Sequence, residues 1–156
     1  MKLELYHGDC LEVMDKLIEQ GVKVEAIITD PPYGTTQNKW DSIIPLEKMW
    51  TCINKLKMEN TPVILFGQEP FSSALRMSNI KDFKYDWVWQ KTESTGFLNA
   101  KKMPLKNHEM ISVFYSKIPT YNPQFTSGKP YKYKKDGISS ENYGESNGTD
   151  LIINDG

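Results

Sequence analysis

Two short and nearly unbroken apolar runs, VEAIIT at residues 24–29 and PVILF at residues 62–66, limit most tightly how this chain can fold. A strand with one wet face alternates apolar and polar residues, whereas a run that is apolar throughout has to be covered on both sides, as strands of a parallel sheet are. Each run leads into a helical pattern. Leu46, Met49, Trp50, Ile53 and Leu56 recur at helical spacing after the first, and a further pattern follows Pro70 after the second. Earlier, residues 3–7 read as a strand leading into Leu11, Met14, Leu17 and Ile18, again one helical face. The βαβα order predicts an α/β domain whose helices lie on a sheet. Pro45 and Pro70 stand where helices start, because first-turn amides lack partners anyway.

From residue 83 the pattern becomes longer and alternating. FKYDWVWQK and EMISVFYSK, joined by a loop of Gly, Asn, Lys and Pro, predict an antiparallel strand pair. Period two puts Phe83, Tyr85, Trp87 and Trp89 on one face, which reads as core beneath a helix in preference to a stacking surface for bases. Beyond Tyr121 the order is aperiodic and polar. The chain therefore divides into residues 1–125, a folded unit, and residues 126–156, a polar loop or disordered segment.

Composition excludes several classes. At 156 residues, 38% hydrophobic and 25% charged, the chain can bury a core without staples, and no apolar stretch approaches bilayer length. MKLELYHGDC has no signal-peptide core, and the two cysteines, Cys10 and Cys52, sit in no CxxC pair and beside no histidine cluster. Both read as small core residues in a reducing cytoplasm, and no metal is expected. Charge is unevenly spread. Residues 1–80 hold 8 Lys+Arg against 11 Asp+Glu, residues 81–135 hold 11 against 4, and residues 136–156 hold none against 5. The basic middle segment suits contact with phosphates and equally suits a solvated lysine-rich face.

Asp30-Pro31-Pro32-Tyr33 follows the first apolar run directly. The exocyclic amine of adenine or cytosine is a poor nucleophile because its lone pair is delocalised into the ring. A carboxylate and a backbone carbonyl that both accept from that amine favour the tetrahedral nitrogen needed to attack a methyl group. Asp30 can supply the carboxylate and Pro31 the carbonyl, held by a Pro-Pro step that cannot donate. Tyr33 offers a flat face for the base, and Gly34 lets the chain pass close to it. Stacking is worth about 1 to 3 kcal/mol per base, comparable with the cost of extruding it from a duplex.

These residues, with YHGDCLEVM, ITDPPYGTTQNKWDSIIPLEKMW, YDWVWQKTESTGFLNAKKMP and NHEMISVFYSKIPTYNPQ in this order, resemble the site-specific DNA amino-methyltransferases, in the permuted class whose catalytic motif precedes its Gly-rich cofactor loop. The resemblance covers about residues 3–128. It implies a partial Rossmann-like sheet, mostly parallel with one antiparallel pair. It implies transfer of a methyl group from S-adenosylmethionine to a flipped base in double-stranded DNA, adenine N6 in preference to cytosine N4. Asp30, Pro31, Pro32 and Tyr33 would be the catalytic motif. Asp9 and Asp30 would contact the cofactor, although Asp9 with Glu12 three residues on also reads as a helix cap. Lys91, Asn99, Lys101, Lys102 and Lys106 would face DNA, near the run Asn107-His108-Glu109.

None of the ten glycines forms a Gly-x-Gly step, so the backbone cradle for the methionine end of the cofactor has no candidate here. The expectation is a carboxy-terminally truncated chain lacking the last strands, binding cofactor weakly alone, with the Gly-rich loop supplied by a missing half or a partner chain. Two other readings stay open: a catalytically inactive DNA-binding remnant, and a methyltransferase acting on RNA or a protein amide.

Overall fold

The computed structural model describes residues 2–125, 128, 131–133 and 152–154. They belong to two units, residues 1–120 and residues 121–156. The first contains α1 (Cys10–Glu19), β1 (Ile27–Thr29), α2 (Leu46–Leu56), β2 (Val63–Gly67), α3 (Phe71–Ser78), β3 (Phe83–Thr95) and β4 (Lys106–Phe114). A 3-10 turn at Phe97–Asn99 links the last two strands. Among the described residues no helix is long and apolar enough to cross a membrane.

The four strands make one sheet in the order β1-β2-β4-β3. The fold is mixed α/β, but the expected mostly parallel sheet is not what forms. Only β1 and β2 run parallel, while β4 pairs antiparallel with both β2 and β3. The cause is local. β3 and β4 fold back on each other as a hairpin, and β4 takes the place beside β2 that another crossover strand would otherwise fill.

In β2 burial alternates strictly, with Val63, Leu65 and Gly67 buried and Ile64 and Phe66 partly so. The buried side faces the helices: Met49, Trp50 and Ile53 of α2, with Phe71 and Leu75 of α3, pack on Val63, Leu65 and Phe114. Each such side chain contributes about 1.5–3 kcal/mol by leaving water. Trp50 lies against Phe114, ring centroids 4.9 Å apart, and its Nε1 donates to Ser78 Oγ at 2.7 Å.

The other side of the sheet carries no helix among the described residues, and this corrects three expectations. Ile28 of β1 is 65% exposed, so residues 24–29 are not covered on both faces. Residues 3–7 form no strand, and Leu3 and Leu5 are exposed with no described strand beside them. The aromatic stripe is not core: Phe83 pairs with Phe114 but Tyr85 pairs with Val113, so Lys84 is an extra residue that shifts the alternation. Phe83 stays on the helix side, while Trp87 (47% exposed) and Trp89 (51%) emerge on the open side, where Trp89 meets Phe66 edge-on at 5.5 Å.

Helix α1 buries none of its residues and lies against α2 instead of on the sheet, with Met14 reaching the core. Consequently Cys10, expected inside, is exposed, whereas Cys52 is buried and its thiol donates to Asp15 Oδ1 at 3.6 Å. Burial and then Asp15 push that thiol's pKa up. In the second unit β5 (Tyr131–Tyr133) pairs antiparallel with β6 (Ile152–Asn154), so this part of the segment read as loop or disorder is strand. The rest of residues 126–156, apart from residue 128, lies outside the described residues.

Candidate functional site

Because β1 and β2 are parallel, their carboxy-terminal ends lie side by side, and antiparallel β4 brings its first residues to the same edge. This edge is where ligands of open α/β sheets collect. It joins residues 30–36 after β1, Gln68 after β2 and Lys106–Glu109 at the start of β4. A cavity of about 320 Å³ opens there, lined by Asp30, Pro31, Pro32, Tyr33, Thr35, Thr36, Trp40, Asp41 and Gln68.

The four motif residues do different things. Asp30 is exposed at the end of β1, Pro31 is buried, and Pro32 and Tyr33 are partly buried. Among the described residues no hydrogen bond uses the Pro31 carbonyl, so it remains able to accept. The Tyr33 ring leans on Phe71, centroids 5.4 Å apart, and its hydroxyl donates to Asp30 Oδ1. Burial first, then that carboxylate, drives the phenol far above its usual range, so Tyr33 stays a neutral donor. The face expected to stack on a base is thus attached to the core and tethered to Asp30, whose Oδ2 stays open toward solvent.

Two residues that sequence reasoning missed hold the loop. Asp41 is 7% exposed and accepts three successive backbone amides, from Gly34 (2.9 Å) and Thr35 (2.9 Å) and Thr36 (2.6 Å). Burial works to raise its carboxyl, but the Gly34 amide, the Thr36 side chain and the amides of Thr36 and Thr35 outweigh it and the net shift is downward. Gly34 turns the chain with φ +67, and a Cβ there would sit 2.8 Å from Ile43 Cγ1. The second residue is Gln68, whose Nε2 donates to Thr35 Oγ1 at 2.9 Å while its Oε1 accepts from Lys106 Nζ at 2.7 Å. Gln68 could have been found from its place after a parallel strand. Asp41 gave no signal, because its partners lie across a loop of irregular length.

The basic residues expected to face DNA all lie on β3, β4 or their connection, but they are not equivalent. Lys91 pairs with Glu109, and Lys106 is committed to Gln68. Burial lowers the Lys106 ammonium's pKa, with Glu109 opposing and Lys91 adding to the shift. Asn99 ends the 3-10 turn, its carbonyl accepting from Lys102 and Met103, and Lys101 and Lys102 are exposed. Asn107 and His108 are exposed as well.

For S-adenosylmethionine the fit is partial. Asp9 caps α1, its Oδ1 accepting from Leu11 (2.9 Å) and Glu12 (3.3 Å), which leaves Oδ2 for a further contact. Asp30 is open. No residue pair here provides the glycine turn that would cradle the methionine end.

Comparison with protein-family models and with curated proteins gives no match. Among solved structures the chain is similar to M1.HpyAVI. It resembles the complex of that protein with SAM at TM-score 0.58 and 24% identity, over 75% of this chain and 55% of that one. It resembles M1.HpyAVI alone at TM-score 0.59 and 23% identity, over 79% and 61%. The likeness is one of fold, and the chain spans less than two thirds of these neighbours' length.

Proposed function

We propose that this chain is the amine-holding part of a DNA amino-methyltransferase acting on adenine N6. The observation that carries the reading is the pairing of an open Asp30 carboxylate with an unengaged Pro31 carbonyl at a sheet edge, beside a cavity of about 320 Å³. Two acceptors so placed take both amine hydrogens of a flipped base and localise its lone pair on nitrogen. Tyr33 keeps Asp30 oriented, and Trp40, exposed on the cavity wall, offers an aromatic face. S-adenosylmethionine supplies an electrophilic methyl group when bound; the likeness to M1.HpyAVI, which forms a complex with SAM, supports this choice of donor.

The test is mass spectrometry of nucleosides from a methylation-free bacterium. It expresses the chain alone, or together with the polypeptide encoded directly downstream. N6-methyladenine in the second case, abolished by Asp30→Ala, is the expected result. N4-methylcytosine in its place, or no methylated base, refutes the assignment. The absence of any Gly-x-Gly step favours a second reading, an inactive DNA-binding remnant, which predicts salt-sensitive DNA binding with no methylated base in either case.

A further inference from the structure

The hydrogen bonds around Gln68 have a fixed direction. An ammonium carries donors only, so the Gln68 atom facing Lys106 Nζ is the carbonyl oxygen, and the amide nitrogen faces Thr35. Nitrogen there donates, so Thr35 Oγ1 accepts and its own proton must go elsewhere. The Thr35 backbone amide is already held by Asp41, which fixes the residue at the cavity wall. Among the described residues no acceptor takes the Thr35 hydroxyl proton. Lys106, Gln68 and Thr35 thus form a one-way relay ending in a donor on the cavity that Asp30 also lines.

From this geometry we infer that Thr35 is a specificity-determining residue, donating to a ring nitrogen of the target base while Asp30 accepts from the adjacent amine. The inference rests on the amine-binding reading of Asp30. An acceptor and a donor side by side match a base edge that offers an amine next to an unprotonated ring nitrogen. Adenine has it at N6 and N1, and cytosine at N4 and N3. Guanine and thymine present a carbonyl next to a ring N–H, the reverse order, and both contacts would then oppose like groups. Lys106 acts here as a positioning residue that sets the amide orientation of Gln68, not as a phosphate contact.

The test uses the full chain, isotope-labelled, titrated with free nucleosides and followed by the NMR shifts of residues 30–36 and 68. Adenosine and 7-deazaadenosine should bind alike, and 1-deazaadenosine, which lacks the ring acceptor, about three- to tenfold more weakly, the loss of one neutral hydrogen bond. Thr35→Val should remove that discrimination, Thr35→Ser should restore it, and Lys106→Met should reduce it without touching the base. Equal binding of adenosine and 1-deazaadenosine by the unsubstituted chain, or discrimination persisting in Thr35→Val, overturns the inference while leaving the amine-binding reading intact. No shift with any nucleoside overturns both.

Discussion

Asp41 accepts the backbone amide of Thr36 at 2.6 Å, the shortest of three amide contacts that bind one carboxylate to the loop after Asp30–Tyr33. Removing that carboxylate in Asp41→Ala should unfasten residues 34–36 while leaving the helices and sheet in place. Amide hydrogen exchange at Gly34, Thr35 and Thr36 should accelerate about ten- to a hundredfold, as expected for lost charge-assisted bonds. Asp41→Asn keeps one acceptor oxygen and should fall between. The folded carboxyl titrates below its usual range, so the protection is present at neutral pH and is lost as pH falls through that lowered value. Unchanged exchange in Asp41→Ala would mean the loop is held by something else.

Gly34→Ala tests the turn itself. The backbone at φ +67 costs an L-residue about 1 kcal/mol, and the new Cβ meets Ile43 Cγ1 at 2.8 Å. Ile43 is half exposed and can swing aside, so the backbone share should dominate. Urea denaturation should show a loss of roughly 1–2 kcal/mol, of which a second substitution, Ile43→Ala, recovers only the steric fraction.

A pair remote from the site should contribute to acid stability. Lys57 Nζ lies 3.0 Å from Asp82 Oδ2 and 3.0 Å from Ser116 Oγ, with both charged side chains largely buried. Burial alone would raise the Asp82 carboxyl, but Lys57 holds it below the usual carboxylate range. A folded value below the unfolded one stabilises above the unfolded pKa of about 3.9 and is lost as pH falls through the folded one. Thermal melts between roughly pH 6 and pH 3 should therefore steepen their decline in the unsubstituted chain. In Lys57→Met the Asp82 contribution should vanish, at a cost of about 3 kcal/mol at neutral pH for the stranded carboxylate.

The two sides of the sheet should answer differently to truncation. Phe114 is 1% exposed between Trp50 and Phe83, so Phe114→Ala should cost about 3–5 kcal/mol. Trp87, 47% exposed on the side without helices, should cost no more than about 1 kcal/mol in Trp87→Ser. Equal losses would place Trp87 under cover.

The helices and the βαβ order were legible because each rests on local spacing: Met49, Trp50, Ile53 and Leu56 bury the face their periodicity marks. The place of residues 30–33, directly after a strand of the parallel pair, was legible for the same reason, as a short pattern after an apolar run. What failed needed knowledge of partners. Trp87 and Trp89 share the parity of Phe83, and only the pairing with β4 shows that Lys84 breaks it. Residues 3–7 have the composition of a strand, but a ladder takes a neighbour as well as a sequence. The contact of Lys106 with Gln68 gave no local signal either, because the two residues stand 38 positions apart in the chain.

The placement of β4 between β2 and β3 bears on timing as well as shape. The β3–β4 hairpin closes a short loop and can form early, whereas docking β4 on β2 must wait for two segments far apart in sequence to meet. Lys106 is the first residue of β4, so the relay through Gln68 to Thr35 closes only with that docking. Any probe of the Thr35 hydroxyl is then also a clock for topological completion: a chain stalled with its hairpin undocked would hold Asp30 to Tyr33 intact and yet leave Gln68 without its Lys106 partner.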